Sequence, residues 1–110
     1  MKINEFISND LKSKFEIMDR NLYLETAHLS SSHQIENTPS FKSILENKYD
    51  MIHFLVDKVV KENSLKTPYF LLIQIISDGN AITKKNNGDR HLMKEEVKEW
   101  WESNRSKYGR

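Results

Sequence analysis

The sequence predicts an all-α fold, a compact bundle of about five helices whose consecutive pairs stack in the manner of HEAT repeats. Apolar residues recur at three- and four-residue steps along several segments, which is the spacing of an amphipathic helix. Two segments open on Thr-Pro, at residues 38–39 and 67–68, and proline suits the first turn of a helix. Neither neighbour of the apolar run 67–82 alternates with the period of two that strands show.

Length and composition limit the class of protein. The chain has 110 residues, and we expect residues 1–110 to form a single helical domain. The net charge of +1 gives no overall field that would attract nucleic acid or acidic lipid. The absence of cysteine excludes disulfides, thiolate nucleophiles and cysteine-bound zinc. The first ten residues lack the apolar core of a signal peptide, and no apolar run reaches the roughly 20 residues of a membrane span. We therefore expect a cytoplasmic protein without a membrane partner.

Residues 1–20 are predicted to form the N-terminal helix. Its apolar stripe consists of Ile3, Phe6, Ile7, Leu11, Phe15 and Met18. The following residues lose this period and include the polar run HLSSSHQIEN, whose short hydroxyl and amide side chains can satisfy backbone groups locally. The sequence therefore predicts a polar loop over residues 21–37.

Residues 38–82 are predicted to contain a helix pair and a central buried helix. The first helix begins at Thr38-Pro39, where the hydroxyl can cap free amides, and ends at Asn47, which tolerates the left-handed conformation. The second helix runs from about Tyr49 to Glu62. Its length and period favour a helix, although the run MIHFLV taken alone also fits a strand.

The central helix follows Thr67-Pro68. Proline at its start and Asp78-Gly79 about ten residues later match the preference of helices for an N-terminal proline and a C-terminal glycine. The segment YFLLIQIIS between them is apolar on nearly all sides, as in a helix buried in the middle of a bundle. A buried strand remains the alternative for this segment, because isoleucine-rich runs of this length form strands as well.

The C-terminal helix is predicted over residues 88–108, after the polar loop TKKNNGD. Asp89 can cap its first turn, and Gly88 can lie in the turn before it. The side chains expected to face inward are Leu92, Met93, Val97, Trp100 and Trp101.

Six segments carry a resemblance to a known family. They are ETAHLSS (25–31), TPSFKSIL (38–45), IHFLVDKV (52–59), PYFLLIQIISDGNAI (68–82), Gly88 and EWW (99–101). In this order they are similar to an uncharacterised family of small bacterial and phage-associated helical proteins, whose pattern includes ETxxLSS, HPx[FY]xxI[IL], WFxALxxITGx[ND]P[IV] and WLxWG. The resemblance covers about residues 22–108 and implies a compact, HEAT-like helical fold. It carries over no activity and no catalytic residue.

Glu25, His28 and His33 are the candidate metal ligands. Glu25 and His28 have the Glu-x-x-His spacing that puts a carboxylate and an imidazole on one helix face, and His33 could add a second imidazole for zinc or iron. A di-iron site would need a second such pair, which the sequence lacks. In the alternative, which also explains the adjacent serines, these residues cap helices and pin the loop. We therefore predict no metal cofactor.

No set of residues predicts catalysis. Asp89 beside His91 could orient the imidazole for acid or base chemistry, but the run GDRH is equally explained as a helix start. The serines at 30–32 lack the Gly-x-Ser-x-Gly elbow of serine hydrolases, and no glycine-rich loop is present to hold phosphate. The sequence predicts a protein without enzymatic activity and without cofactors.

Two functions remain open. The first is a non-catalytic protein-interaction module, such as an antitoxin, an immunity protein or a phage accessory protein. Its contact residues would be Trp100 and Trp101 with Lys98 and Arg105, because neighbouring tryptophans cannot both point straight into one core. The alternative is a nucleic-acid-associated protein whose C-terminal basic residues contact phosphate. These residues are Lys84, Lys85, Arg90, Lys94, Lys98, Arg105 and Lys107.

Overall fold

The computed structural model describes residues 3–83 and 88–108, with side chains from Asp10 onward. This part of the chain contains six α-helices and no strand. The helices are α1 (Ile3–Thr26), α2 (Ser32–Glu36), α3 (Pro39–Glu46), α4 (Lys48–Val60), α5 (Thr67–Ile76) and α6 (Arg90–Asn104), and α6 continues into a 3₁₀ turn at Arg105–Tyr108. The all-α prediction is confirmed, and the strand alternative for 67–82 is wrong. The single domain and the HEAT-like stacking of helix pairs stay predictions.

The predicted polar loop over 21–37 is wrong for most of its length. α1 continues to Thr26, because Leu22 and Thr26 extend the stripe of Phe15 and both are buried. The Thr26 hydroxyl also donates to the Leu22 carbonyl at 2.7 Å, within the same helix. A short helix, α2, then forms around Ile35, which is 3% exposed. The side chains of the first stripe residues, Ile3, Phe6 and Ile7, lie outside the described residues.

The core lies around α4 and α5, as the sequence predicts for its most apolar segment. α5 contacts α2, α3 and α4, and α4 contacts α1, α5 and α6. The fully buried side chains of these two helices include Met51, Ile52, Leu55, Val59, Leu72 and Ile73. None of the helices in the described ranges combines the length and the apolar character needed to cross a bilayer.

α3 begins and ends where the sequence predicts, but by different contacts. The Thr38 hydroxyl makes no cap hydrogen bond to α3 and instead donates to the Ile35 carbonyl at 2.8 Å. Asn47 follows the last residue of α3 with φ −109°, so it does not adopt the left-handed conformation. Its amide side chain donates to the Ser43 carbonyl at 2.9 Å, a carbonyl that also accepts the Asn47 backbone amide at 3.3 Å.

α5 ends in a Schellman motif, with the first left-handed residue at Asp78 rather than at a glycine. The Asp78 amide donates to the Ile75 carbonyl at 3.1 Å, and the Gly79 amide donates to the Gln74 carbonyl at 2.8 Å. Asp78 has φ +55° and Gly79 has φ +81°. The predicted helix end is therefore confirmed in position, and two consecutive residues take the left-handed conformation.

α6 begins at the cap that the sequence predicts, because Asp89 Oδ1 accepts a hydrogen bond from the Leu92 amide at 3.2 Å. Met93 and Val97 face the core, as expected. Leu92 is exposed, so its predicted inward position is wrong: the buried stripe passes through its neighbour Met93 instead.

Candidate binding surfaces

Glu25 caps the start of a helix. Its Oε1 accepts the Ser40 amide at 3.0 Å, and its Oε2 accepts the Ser40 hydroxyl at 2.6 Å. Ser40 lies in the first turn of α3, so the carboxylate closes a helix start 15 residues away in the chain. His28 is exposed, and the His33 ring lies 3.3 Å from the Asn37 amide. Over the described ranges, no three carboxylates or histidines gather as a metal site would require.

In the second candidate pair, Asp89 and His91, the acid is likewise a helix cap and the histidine is exposed. Asp89 is occupied as the cap of α6, and His91 is exposed on the first turn of that helix. The explanation of GDRH as a helix start is therefore the one that the structure supports.

Trp100 and Trp101 belong to an aromatic cluster at the C-terminal end of α6. Their ring centroids are 6.0 Å apart, and each lies 5.9 Å from the ring of Tyr108. Tyr49 of α4 adds a fourth ring, 5.7 Å from Tyr108. Burial raises the pKa of the Tyr108 hydroxyl, and the neighbouring Tyr49 and Asp78 raise it further. We call Tyr49, Trp100, Trp101 and Tyr108 the C-terminal aromatic cluster.

Both tryptophans are half-buried, so neither is a freely exposed anchor. Lys98 and Arg105, the cations predicted to accompany them, are exposed on α6 and on the 3₁₀ turn. The rings contact one another and so fix the end of α6 against α4. This structural role accounts for the tryptophans without a partner, and their role in binding stays a prediction.

The basic residues predicted to contact nucleic acid have different environments. Arg90 donates to the Leu65 carbonyl at 2.6 Å and to the Thr67 hydroxyl at 2.7 Å. Lys94 donates to the Asn63 side chain at 3.0 Å. The exposed members are Arg90, Lys98, Arg105 and Lys107, whereas Lys84 and Lys85 lie outside the described residues.

The outer face of α1 carries apolar side chains that the sequence analysis missed. Ile17 is 64% exposed and Leu24 is 63% exposed. They are seven residues apart, about two turns, and so lie on the same side of the helix. Arg20 and Asn21, which lie between them, are exposed too. We call Ile17, Arg20, Asn21 and Leu24 the α1 outer face. Extending α1 to Thr26 in a helical projection would have found it, but the predicted helix ended at residue 20.

A cleft of 490 Å³ lies between the C-terminal half of α1 and the first residues of α5 and α6. Its polar lining includes Asp19, Tyr23, Ser30, Lys66, Tyr69 and Arg90. These side chains come from separate parts of the chain, so no local motif predicts them together. Of this group, the sequence analysis identified Arg90 as a functional candidate.

A polar network forms one wall of the cleft. The Tyr69 hydroxyl donates to Asp19 Oδ1 at 2.6 Å, and Lys58 Nζ lies 3.5 Å from Asp19 Oδ2. Lys58 also donates to Glu62 at 3.2 Å. Burial and the hydrogen bond to Asp19 raise the pKa of the Tyr69 hydroxyl well above its usual value. Burial lowers the pKa of Lys58, but the bond to Glu62 and the charge of Asp19 outweigh this and raise it.

Comparisons with protein-family models, with curated proteins and with solved structures found no match to this chain. The resemblance to the phage-associated helical family therefore stays a prediction.

Proposed function

We propose that this chain is a non-catalytic, cytoplasmic module that binds another protein through the α1 outer face. The observation that carries this proposal is the exposure of two large aliphatic side chains, Ile17 and Leu24, on one side of a long helix. Single exposed apolar residues are common on protein surfaces, and a pair at two-turn spacing offers a partner a continuous contact. Burial of each side chain would contribute roughly 1.5–3 kcal/mol.

The hydrogen bonds made by the candidate catalytic acids support a binding function over catalysis. Glu25 and Asp89, the acids that the sequence places beside histidines, each cap a helix. A carboxylate held by helix amides is already satisfied, and its loss would affect the fold first. An antitoxin, immunity protein or phage accessory protein needs a surface and no reactive group.

The partner surface should offer apolar contacts at two points about two helical turns apart, with polar groups between them. The α1 outer face places Arg20 and Asn21 between the two aliphatic residues. Lys14 and Glu16, both exposed, precede this face by about one turn. The nucleic-acid alternative stays a prediction, because the basic residues of α6 alternate with Glu95, Glu99 and Glu102 and so form no stripe of one charge.

Site-specific crosslinking tests the proposal. A photoreactive phenylalanine analogue at Asn21, irradiated in the native host, should give a discrete adduct with one other protein. The same analogue at Lys42, an exposed position on α3, should give none. The Ile17→Ser, Leu24→Ser double variant should remove the adduct and retain the melting temperature.

A matched variant separates this surface from exposed apolar residues in general. Ile75 on α5 is 41% exposed and Leu92 on α6 is 47% exposed. Ile75→Ser with Leu92→Ser should leave the Asn21 adduct unchanged. An adduct that persists in the α1 double variant, or that the Ile75 and Leu92 variant removes equally, contradicts binding through the α1 outer face.

A further inference from the structure

We propose that the cleft between α1, α5 and α6 binds a small ligand carrying a phosphate or carboxylate group, held by Arg90 and Lys66. This site is separate from the proposed protein-binding surface, because Ile17 and Leu24 do not line the cleft. The proposal depends on the charges of the lining, on their partners and on the shape of the cavity.

Arg90 provides a fixed guanidinium whose charge is not matched. It donates to two neutral acceptors, the Leu65 carbonyl and the Thr67 hydroxyl. In the described part of the chain, no carboxylate forms an ion pair with it. A guanidinium has five N–H donors, so three remain for a ligand. Because its planar fork matches the oxygens of phosphate and carboxylate, a fixed arginine suits such a group.

Lys66 supplies a second cation on the same cleft. Its ammonium lies 4.7 Å from the centroid of the Tyr23 ring, a distance typical of a cation–π contact. No carboxylate within the described ranges pairs with this lysine either. The aromatic ring therefore holds the ammonium at the cleft without neutralising it.

The acid in the lining does not cancel these two charges. Asp19 accepts the Tyr69 hydroxyl with one oxygen and faces Lys58 with the other. Lys58 lies outside the lining and balances Asp19 from the far side of the wall. The charged lining residues are Asp19, Lys66 and Arg90, so the cleft keeps a positive balance.

The cavity also has the size and walls of a small-molecule site. Its volume of 490 Å³ falls within the range of roughly 300–1,000 Å³ typical of ligand pockets. Leu22, Leu29, Ile35 and Pro68 provide apolar surface, and the Ser30 hydroxyl adds a polar group. The first turn of α5 has no side-chain cap at this wall, so its positive end adds to the field of the cations. The lining suits an organic anion with an apolar or aromatic body.

Titration with two probes shows whether the ligand carries a phosphate or a carboxylate group. Phenyl phosphate and phenylacetate are added separately to the ¹⁵N-labelled protein at constant ionic strength. A ligand of this size should give saturable amide shifts at Thr67, Tyr69 and Arg90, with a Kd of about 1 mM. Saturation by phenyl phosphate alone indicates a phosphate ligand, and saturation by phenylacetate alone indicates a carboxylate ligand. The absence of saturable shifts at these residues with both probes overturns the proposal.

Charge-matched variants locate the site. Lys66→Gln should weaken binding about five- to tenfold, and it removes no hydrogen bond that holds the fold. Arg90→Lys keeps the charge but loses the fork, and it should weaken binding at least tenfold. Lys107→Gln makes the same charge change on the exposed 3₁₀ turn and should leave Kd unchanged. Equal weakening by Lys107→Gln and Lys66→Gln would mean a diffuse charge effect and would overturn the site. Lys66→Gln keeps the test decisive even where an Arg90 variant loses stability.

Discussion

The two ends of α5 use their polar groups in opposite ways. At the C-terminal end, the Gln74 side chain donates to the Ile82 carbonyl at 2.8 Å and accepts the Ile82 amide at 3.0 Å. The Ser77 hydroxyl accepts the Ala81 amide at 3.1 Å, and the Asn80 side chain donates to the Ser77 carbonyl at 2.9 Å. At the N-terminal end, the Tyr69 hydroxyl is matched by Asp19, whereas the Lys66 ammonium contacts the Tyr23 ring and Arg90 keeps spare donors.

This difference separates residues that hold the fold from residues available to a ligand. At the C-terminal end, these hydrogen bonds hold residues 80–82 against Gln74 and Ser77. Glu96 of α6 also accepts the amide and the hydroxyl of the next residue, Thr83. Polar groups matched in this way contribute to stability when buried. The N-terminal end instead presents cations that neutral acceptors hold in place. Four substitutions test whether the two ends differ as strongly as their contacts indicate.

Gln74→Ala should give the largest effect. It leaves the amide and the carbonyl of Ile82 without partners at a position that is 5% exposed. Because each unsatisfied buried group costs about 1–3 kcal/mol, the free energy of unfolding should fall by about 2–4 kcal/mol. Urea denaturation measures this change. Gln34→Ala on α2, where the side chain is exposed, is the control and should change it by less than about 0.5 kcal/mol. A small loss of unfolding free energy in Gln74→Ala would contradict the difference between the two ends of α5.

Tyr69→Phe should follow, with a loss of about 1–2 kcal/mol at neutral pH, because the hydroxyl donates to the charged Asp19. The folded pKa of Tyr69 lies above the usual value of 10.0. Above that pH the unfolded chain loses its tyrosine proton while the folded chain keeps it, so stability falls as pH rises. The variant should show a shallower loss of stability from pH 10 upward in denaturation curves. An unchanged slope would exclude this proton as a source of the pH dependence.

Gly79→Ala should lower the free energy of unfolding by about 1 kcal/mol, entirely through backbone strain. Gly79 has φ +81°, and a Cβ there would meet Gln74 Nε2 at 4.0 Å, which is ordinary contact. Thermal denaturation measures the change. A loss well above about 2 kcal/mol would mean that the substitution also disturbs the hydrogen bonds between Gln74 and Ile82.

Lys66→Gln should give the smallest effect on stability, within about 0.5 kcal/mol, since its ammonium contacts an exposed ring and no carboxylate. Urea denaturation under the conditions used for Gln74→Ala provides the comparison. A large loss would show that the cations at the N-terminal end of α5 also hold the fold, and the contrast between the two ends would disappear.

The sequence predicts the elements whose signals are local. α5 is found correctly because Pro68 and Asp78-Gly79 mark its ends and its apolar residues fill the segment between. Asp89 is found as a cap because its partner, Leu92, is three residues away. Signals of this kind depend only on neighbours in the chain.

The sequence fails where the partner is distant. Glu25 and Ser40 are 15 residues apart, and Arg90 contacts Leu65 across 25 residues. The sequence predicts a capping role for Glu25 in preference to a metal site, but it does not identify Ser40 as the partner. The stripe of α1 also continues past residue 20 on Leu22 and Thr26, but the polar run that begins at His28 led the predicted helix to end earlier. The cleft is lined by residues of α1, α2, α5 and α6, so its cations could be identified only once these helices were placed.

The C-terminal aromatic cluster allows the packing at the end of α6 to be followed by spectroscopy separately from helix content. Both tryptophans of the chain lie in this cluster, so tryptophan fluorescence observes one end of α6 and not the cleft. Their closeness also couples their transitions, which gives a near-ultraviolet circular dichroism signal that depends on the packing of the rings. Helix content can be followed separately in the far ultraviolet. Detachment of α6 from α4 would then be visible as a loss of the near-ultraviolet signal while the far-ultraviolet signal persists.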